Sequence, residues 1–160
     1  MTDGMWFNTA VSTISRLDIV KGRSTEIFDP NAPITRAEFA TICARFDHSS
    51  VEGTESFSDI HGHWAEKFVE RAAALGWVNG YMDGTFRPNT TITRAEAMAM
   101  INRVLGRLPE SEKDLLPGMK TWPDNADPSA WYYLTIQEAA NGHTFERKAD
   151  GVHERWIKLK

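Results

Sequence analysis

Five residues, Ile34-Thr35-Arg36-Ala37-Glu38, return unchanged as Ile92-Thr93-Arg94-Ala95-Glu96, 58 positions later. A Thr followed three residues on by Glu is a capping box, in which each side chain satisfies an orphan backbone N–H at a helix start. The pair predicts two helices that begin at Arg36 and Arg94, in a chain built from copies of one unit. Arg at the first helical position opposes the positive end of the helix dipole, at a cost of about 0.3–1 kcal/mol. Two readings of the repeated arginine stand: it faces an anion, or it pairs with a nearby carboxylate.

The repeat extends beyond the motif. Residues 5–46 meet residues 63–104 without a gap, so that Trp6 matches Trp64, Val11 matches Val69 and Leu17 matches Leu75. Gly22 matches Gly80, Phe28 matches Phe86, Pro30 matches Pro88, and Arg45 matches Arg103. These positions are apolar anchors, turn residues and caps, which are what a shared fold requires. Each unit reads as helix, loop, helix. In the second, Trp64, Phe68, Val69, Ala72 and Leu75 recur at helical spacing. That helix should stop near Gly76, Asp83-Gly84 marks a turn, and Pro88 precludes helix there. Ala97, Met100, Ile101 and Val104 form the apolar face of the capped helix, as Phe39, Ile42, Cys43 and Phe46 do in the first unit.

The units divide as residues 1–47, 48–107 and 108–160. Residues 48–56 form a polar link, and Phe57-Ser58-Asp59-Ile60 opens the second unit. Met1 falls at the place of Asp59, so the first unit reads as incomplete at its start. In the third, Trp122-Pro123-Asp124 resembles Phe57-Ser58-Asp59, and Trp131, Ile136 and Ala139 restate Trp64, Val69 and Ala72. After Asn141-Gly142-His143 the pattern departs, and no second capped helix follows. Terminal repeats are often atypical. Trp156 and Ile157 are expected to close the core. Trp6, Trp64 and Trp131 are expected to matter most to assembly, unless they stand at the surface to stack on a ligand.

Composition narrows the function. The net charge of −4, with no dense Lys/Arg block, gives no reason to expect nucleic acid. No apolar run is long enough to cross a bilayer. The N-terminus lacks the layout of a signal peptide, so the chain stays inside a cell or is a piece of a longer secreted protein. The lone Cys43 cannot form an internal disulfide, and its apolar register predicts a buried, inert thiol.

Taken together, Phe57-Ser58-Asp59-Ile60, His63-Trp64-Ala65, Gly76-Trp77-Val78-Asn79-Gly80-Tyr81, Asp83-Gly84-Thr85-Phe86-Arg87-Pro88 and Ile92-Thr93-Arg94-Ala95-Glu96 resemble one complete S-layer homology repeat. The first unit resembles the same repeat without its opening, and the third a divergent closing repeat. The resemblance implies a mainly α fold, three helix-loop-helix repeats in a pseudo-threefold, three-pronged spindle, with grooves between repeats. It implies a binding module with no catalysis and no cofactor, which anchors a bacterial surface protein outside the cell to cell-wall polysaccharide, commonly one carrying pyruvate ketals. A scaffold that binds other surface proteins, or the non-catalytic part of a wall-active enzyme, is the alternative.

The residue chemistry fits that implication. A ketal carboxylate suits the two parallel hydrogen bonds of an Arg, and a sugar's apolar face suits Trp. The site candidates are Arg94, Arg36, Trp64, Trp6, Gly80, Gly22 and Asp59. Other readings stay open: Trp64 in the core, Asp59 as a local cap, and Gly80 as a turn residue. Arg147 is the one candidate for a third site. A calcium loop fails, because counting Asp83 as its fifth position puts Tyr81 third and Thr90 last. His61 and His63 lack partners for a metal shell, and no nucleophile or phosphate-loop motif occurs.

Overall fold

The computed structural model describes residues 4–47, 51–54 and 57–160; residues 48–50 and 55–56 of the expected link, and residues 1–3, lie outside the described residues. In chain order come α1 (Asn8–Arg16), α2 (Arg36–Ala44), α3 (Glu66–Ala74), α4 (Arg94–Val104) and α5 (Tyr133–Ala140), then strands β1 (His143–Arg147) and β2 (Glu154–Leu159). The architecture is mainly α. The repeat register is visible in the element bounds: α3 starts 58 residues after α1, α4 starts 58 after α2, and α5 starts 67 after α3. Two units, residues 1–91 and 92–160, are described in turn.

In the first unit α2 packs against α3. Ala37, Ala40, Cys43 and Ala44 of α2 are buried, as are Val69, Ala72 and Ala73 of α3. Small residues on both faces let the backbones approach. Thr35 accepts from the Glu38 amide at 3.2 Å and Glu38 returns the bond to the Thr35 amide at 2.8 Å. Burial pushes the Cys43 thiol up to about 11, which keeps it protonated and inert. The α3 helix ends at Ala74, and Gly76 takes the left-handed conformation at φ 71° that terminates it.

The aromatic anchors are not where helical periodicity put them. Trp6, Trp64 and Trp131 are 91%, 60% and 63% exposed, so they do not hold the assembly together. The reason is local: Ala65 is the cap of α3, so Trp64 precedes the helix and does not share its buried stripe. Phe46 and Ile101 are also exposed. Ile60, Val69, Val78 and Phe86 supply the large buried side chains instead.

The second unit packs α4 against α5 and closes with an antiparallel β1–β2 hairpin, which carries a bulge between Thr144 and Phe145. Asp150-Gly151 makes its turn: Asp150 Oδ1 accepts from the amides of Val152 and His153 at 2.8 and 2.9 Å, and Gly151 has φ 71°. Strand alternation buries Trp156 and leaves Ile157 exposed, so only the first of the two closes the core. Trp156 joins Leu115 and Tyr133 there. Beside it lies a buried ionic cluster. Arg107 meets Glu138 at 2.8 Å and Glu154 at 2.7 Å, Trp156 Nε1 donates to Glu138 Oε2 at 2.7 Å, and the His143 ring stacks on Trp156 at 4.0 Å.

Candidate functional site

The first unit carries a cleft of about 330 Å³ lined by Val20, Lys21, Gly22, Arg23, Glu38, Thr41, Ile42, Arg45 and Trp64. The loop after α1 brings Lys21, Gly22 and Arg23; α2 brings Glu38 and Thr41; its C-cap is Arg45. Trp64 stands on the wall, well exposed. Gly22 has a steric role, because a Cβ there would lie 2.6 Å from the Ile27 carbonyl oxygen. Glycine thus lets the loop fold tightly under the cations.

The cations are held but not exhausted. Arg23 pairs with Glu38 at 3.2 Å and donates Nη2 to the Pro33 carbonyl at 2.8 Å. Arg45 donates Nη1 to the Ile19 carbonyl at 3.3 Å and lies over the Phe68 ring at 5.3 Å. Lys21 pairs with the exposed Asp18 at 3.1 Å. A guanidinium has five N–H donors, so donors of Arg45 remain for a ligand. Asp18, Asp29 and Glu38 balance Lys21 and Arg23, so the unused donors of Arg45 are what the cleft offers an anionic guest, and Trp64 offers it an apolar face.

Of the candidates read from sequence, Gly22 and Trp64 come together in this cleft. Arg36 does not. It is 4% exposed and turned inward: Nε donates to the Phe86 carbonyl at 2.9 Å and Nη2 to the Asn79 carbonyl at 3.1 Å. Its guanidinium also lies over the rings of Phe86 and Tyr81, at 4.8 and 4.9 Å. Neither reading of this arginine anticipated carbonyl partners. Asp59 serves the same loop, its two oxygens accepting from the amides of Phe86 and Arg87, both at 2.7 Å. Gly80 is packed against the interior, where a Cβ would lie 2.5 Å from Phe57 Cε1. Trp6 projects at the surface and contacts Phe7 edge-on at 5.5 Å.

Arg94 is exposed, and its guanidinium makes no hydrogen bond or ion pair among the described residues. It lines a second cavity of about 180 Å³ with Met98, Trp122, Asp124, Asn125, Ile136 and Ala140. Arg147 is tied to the carbonyls of Gly106 and Val152. Sequence reasoning missed Lys21, Arg23 and Arg45 in the first cleft and Trp122, Asp124 and Asn125 in the second cavity. The signals were there: Lys21 and Arg23 flank Gly22, Arg45 recurs as Arg103, and Asp124 follows Trp122 as Asp59 follows Phe57.

Glu138, His143 and Glu154 bring ligand-type atoms within 4.8 Å of one another. Arg107 already supplies the positive charge among them, at the 2.8 and 2.7 Å separations above, so the cluster is arranged as an internal ion network. Burial raises the Glu138 carboxyl above its ordinary value. Burial also works to raise Glu154, but the Arg107 hydrogen bond and the one from Glu138 outweigh it and hold Glu154 low.

These features define a class, a mainly α-helical tandem-repeat module with capped helices and a Trp-walled cationic cleft. The chain belongs to the S-layer homology domain family, whose model matches residues 1–40 and 56–98. Residues 99–160 lie beyond both matched stretches. The chain is similar to Cell surface glycoprotein 1 of Acetivibrio thermocellus, 34% identical over 172 positions that cover 99% of this chain and 7% of that protein. It is similar to the Cellulosome-anchoring protein of the same organism, 34% identical over 165 positions, covering 99% of this chain and 36% of that protein. The Outer membrane protein SlpA of Thermus thermophilus is 45% identical over 62 positions, 38% of this chain and 7% of that protein. The chain thus spans a minor part of each relative's length. Among the described residues no helix is long and apolar enough to cross a membrane.

Proposed function

We propose that this chain anchors a bacterial surface protein non-covalently to the cell wall by binding an anionic secondary polysaccharide, with a pyruvate ketal as the recognised acid. The observation that carries this reading is Trp64, exposed on the wall of a cleft whose rim holds Lys21, Arg23 and Arg45 beside Gly22. A ketal carboxylate would meet the charge-assisted donors of Arg45 and Lys21, while the sugar's apolar face covers the Trp64 ring. Similarity to a cell surface glycoprotein and to a cellulosome-anchoring protein agrees with an anchoring role. The division into three repeats, 1–47, 48–107 and 108–160, belongs to the same reading, with the cleft assigned to the first two.

The test is co-sedimentation with purified cell walls stripped of protein, before and after the polysaccharide is extracted. Binding that survives protein removal and is lost on extraction supports the anchor. Trp64→Ala should weaken it about tenfold, which corresponds to roughly 1.4 kcal/mol. Binding that depends on wall protein, or release of sugar by the chain, would overturn the reading.

A further inference from the structure

The second unit's cavity has a filled counterpart in the first unit. There Phe86 is held on every side: its N–H by Asp59 at 2.7 Å, its carbonyl by Arg36 at 2.9 Å, and its ring, fully buried, against Phe57 at 5.3 Å. In the repeat register Arg94 stands at the place of Arg36, Asp124 at that of Asp59 and Trp122 at that of Phe57. These three residues line the 180 Å³ cavity. After Asn141 the chain enters β1 instead of forming a loop like the one over residues 79–88, so nothing equivalent to Phe86 enters this cavity. The lining carries an independent mark of a missing donor: Asn125 is 2% exposed, and its Oδ1 has no partner among the described residues. An unpaired buried acceptor costs about 1–3 kcal/mol. The volume suits one aromatic ring, since a cavity of about 150 Å³ holds benzene.

The first repeat holds the converse. Phe28 stands at the place of Phe86, and the residue after it, Asp29, has φ 57° where Arg87 has φ 58°. Non-glycine residues rarely adopt this conformation, so its recurrence marks the same backbone turn directly after each Phe. Yet the Phe28 amide and carbonyl have no partner among the described residues, and the ring is only half-buried. Among the described residues, then, the Phe86 clamp has a counterpart without a loop, and the Phe28 loop meets no clamp.

We propose that the cavity of Arg94, Trp122 and Asp124 receives the Phe28 loop of a second copy of this chain. The Phe28 ring enters beside Trp122, its N–H meets Asp124 and its carbonyl meets Arg94. The two surfaces differ, so the contact is head-to-tail and can repeat from copy to copy. An interface anchored by one ring is small and exchanges readily.

Sedimentation velocity on the full chain, over micromolar to millimolar concentrations, tests this. The sedimentation coefficient should climb with concentration, and Phe28→Ala and Arg94→Ala should each remove the climb. Mixing those two variants should restore association, because one keeps an intact cavity and the other an intact loop; this outcome also excludes misfolding of either. A parent chain that stays monomeric throughout, or variants that stay apart when mixed, would overturn the proposal. So would a monomeric chain whose cavity takes up a blocked peptide of residues 25–30, which would assign the cavity to a Phe-bearing segment of another protein.

Discussion

Arg36 donates Nε to the carbonyl of Phe86 at 2.9 Å while its guanidinium lies 4.8 Å from the centre of that residue's ring. One side chain thereby holds both the backbone and the ring of a residue 50 positions away. Arg36→Ala leaves the Phe86 carbonyl buried without a donor and should cost on the order of 2 kcal/mol. Arg94→Ala, in the same local sequence but exposed, should stay within about 0.5 kcal/mol of the parent. Urea denaturation midpoints of the two variants check the contrast, and equal shifts would contradict it.

A second contrast separates the tryptophans. Trp156 is buried in the closing core and bonded to Glu138 at 2.7 Å. Trp156→Ala should lower stability by about 3–5 kcal/mol. Trp64→Ala should leave the thermal midpoint nearly unchanged while weakening wall binding. A large loss of stability at Trp64 would return it to a packing role.

Gly80→Ala places a methyl 2.5 Å from the Phe57 ring and 2.9 Å from the Thr85 carbonyl oxygen. Neighbours on a packed ring and a backbone cannot both yield, so overpacking of about 1–3 kcal/mol is expected. Chemical denaturation measures it; a neutral substitution would show that the loop has slack.

Acid should destabilise the fold. Asp83 is held at about 2 by the hydroxyl and amide of Thr85, with Arg87 adding to them. Asp150 is held at about 2 by the His153 side chain and by the amides of His153 and Val152. For a carboxylate lowered on folding, the stabilisation is present above its ordinary value and fades as pH falls through the folded value. Both turns should therefore weaken between about pH 4 and pH 2. Glu138 has the opposite sign: burial raises it, so its contribution is present at low pH and fades as pH rises through its folded value. Carboxylate NMR titration of the two aspartates checks the window, and midpoints near 3.8 would contradict the bonded turns.

What the sequence made legible was whatever it encodes locally. The two capping boxes appear where Thr35 and Thr93 predicted them, and the 58-residue period reappears in the helix bounds. The inward turn of Arg36 and the outward turn of Arg94 were not legible, because identical pentapeptides cannot encode it. The difference lies in whether a loop like that around Phe86 follows downstream. The exposure of Trp64 was missed because a periodic pattern was extended past the helix start at Glu66. The closing hairpin had a signal, Asp150-Gly151 between segments rich in Phe, Trp and Ile, and it could have been read as a turn between strands. The cleft's charge was hidden because Lys21, Arg23 and Arg45 converge only when the loop after α1 folds against α2.

The clamp on Phe86 also bears on how such modules can be cut and rejoined. The fastener of the second repeat is encoded in the first, so a crossover between residues 47 and 57 would separate a latch from its keeper. Shuffling that preserves function has to move the pair together, or import a donor sequence that already carries arginine at the opening of its capped helix.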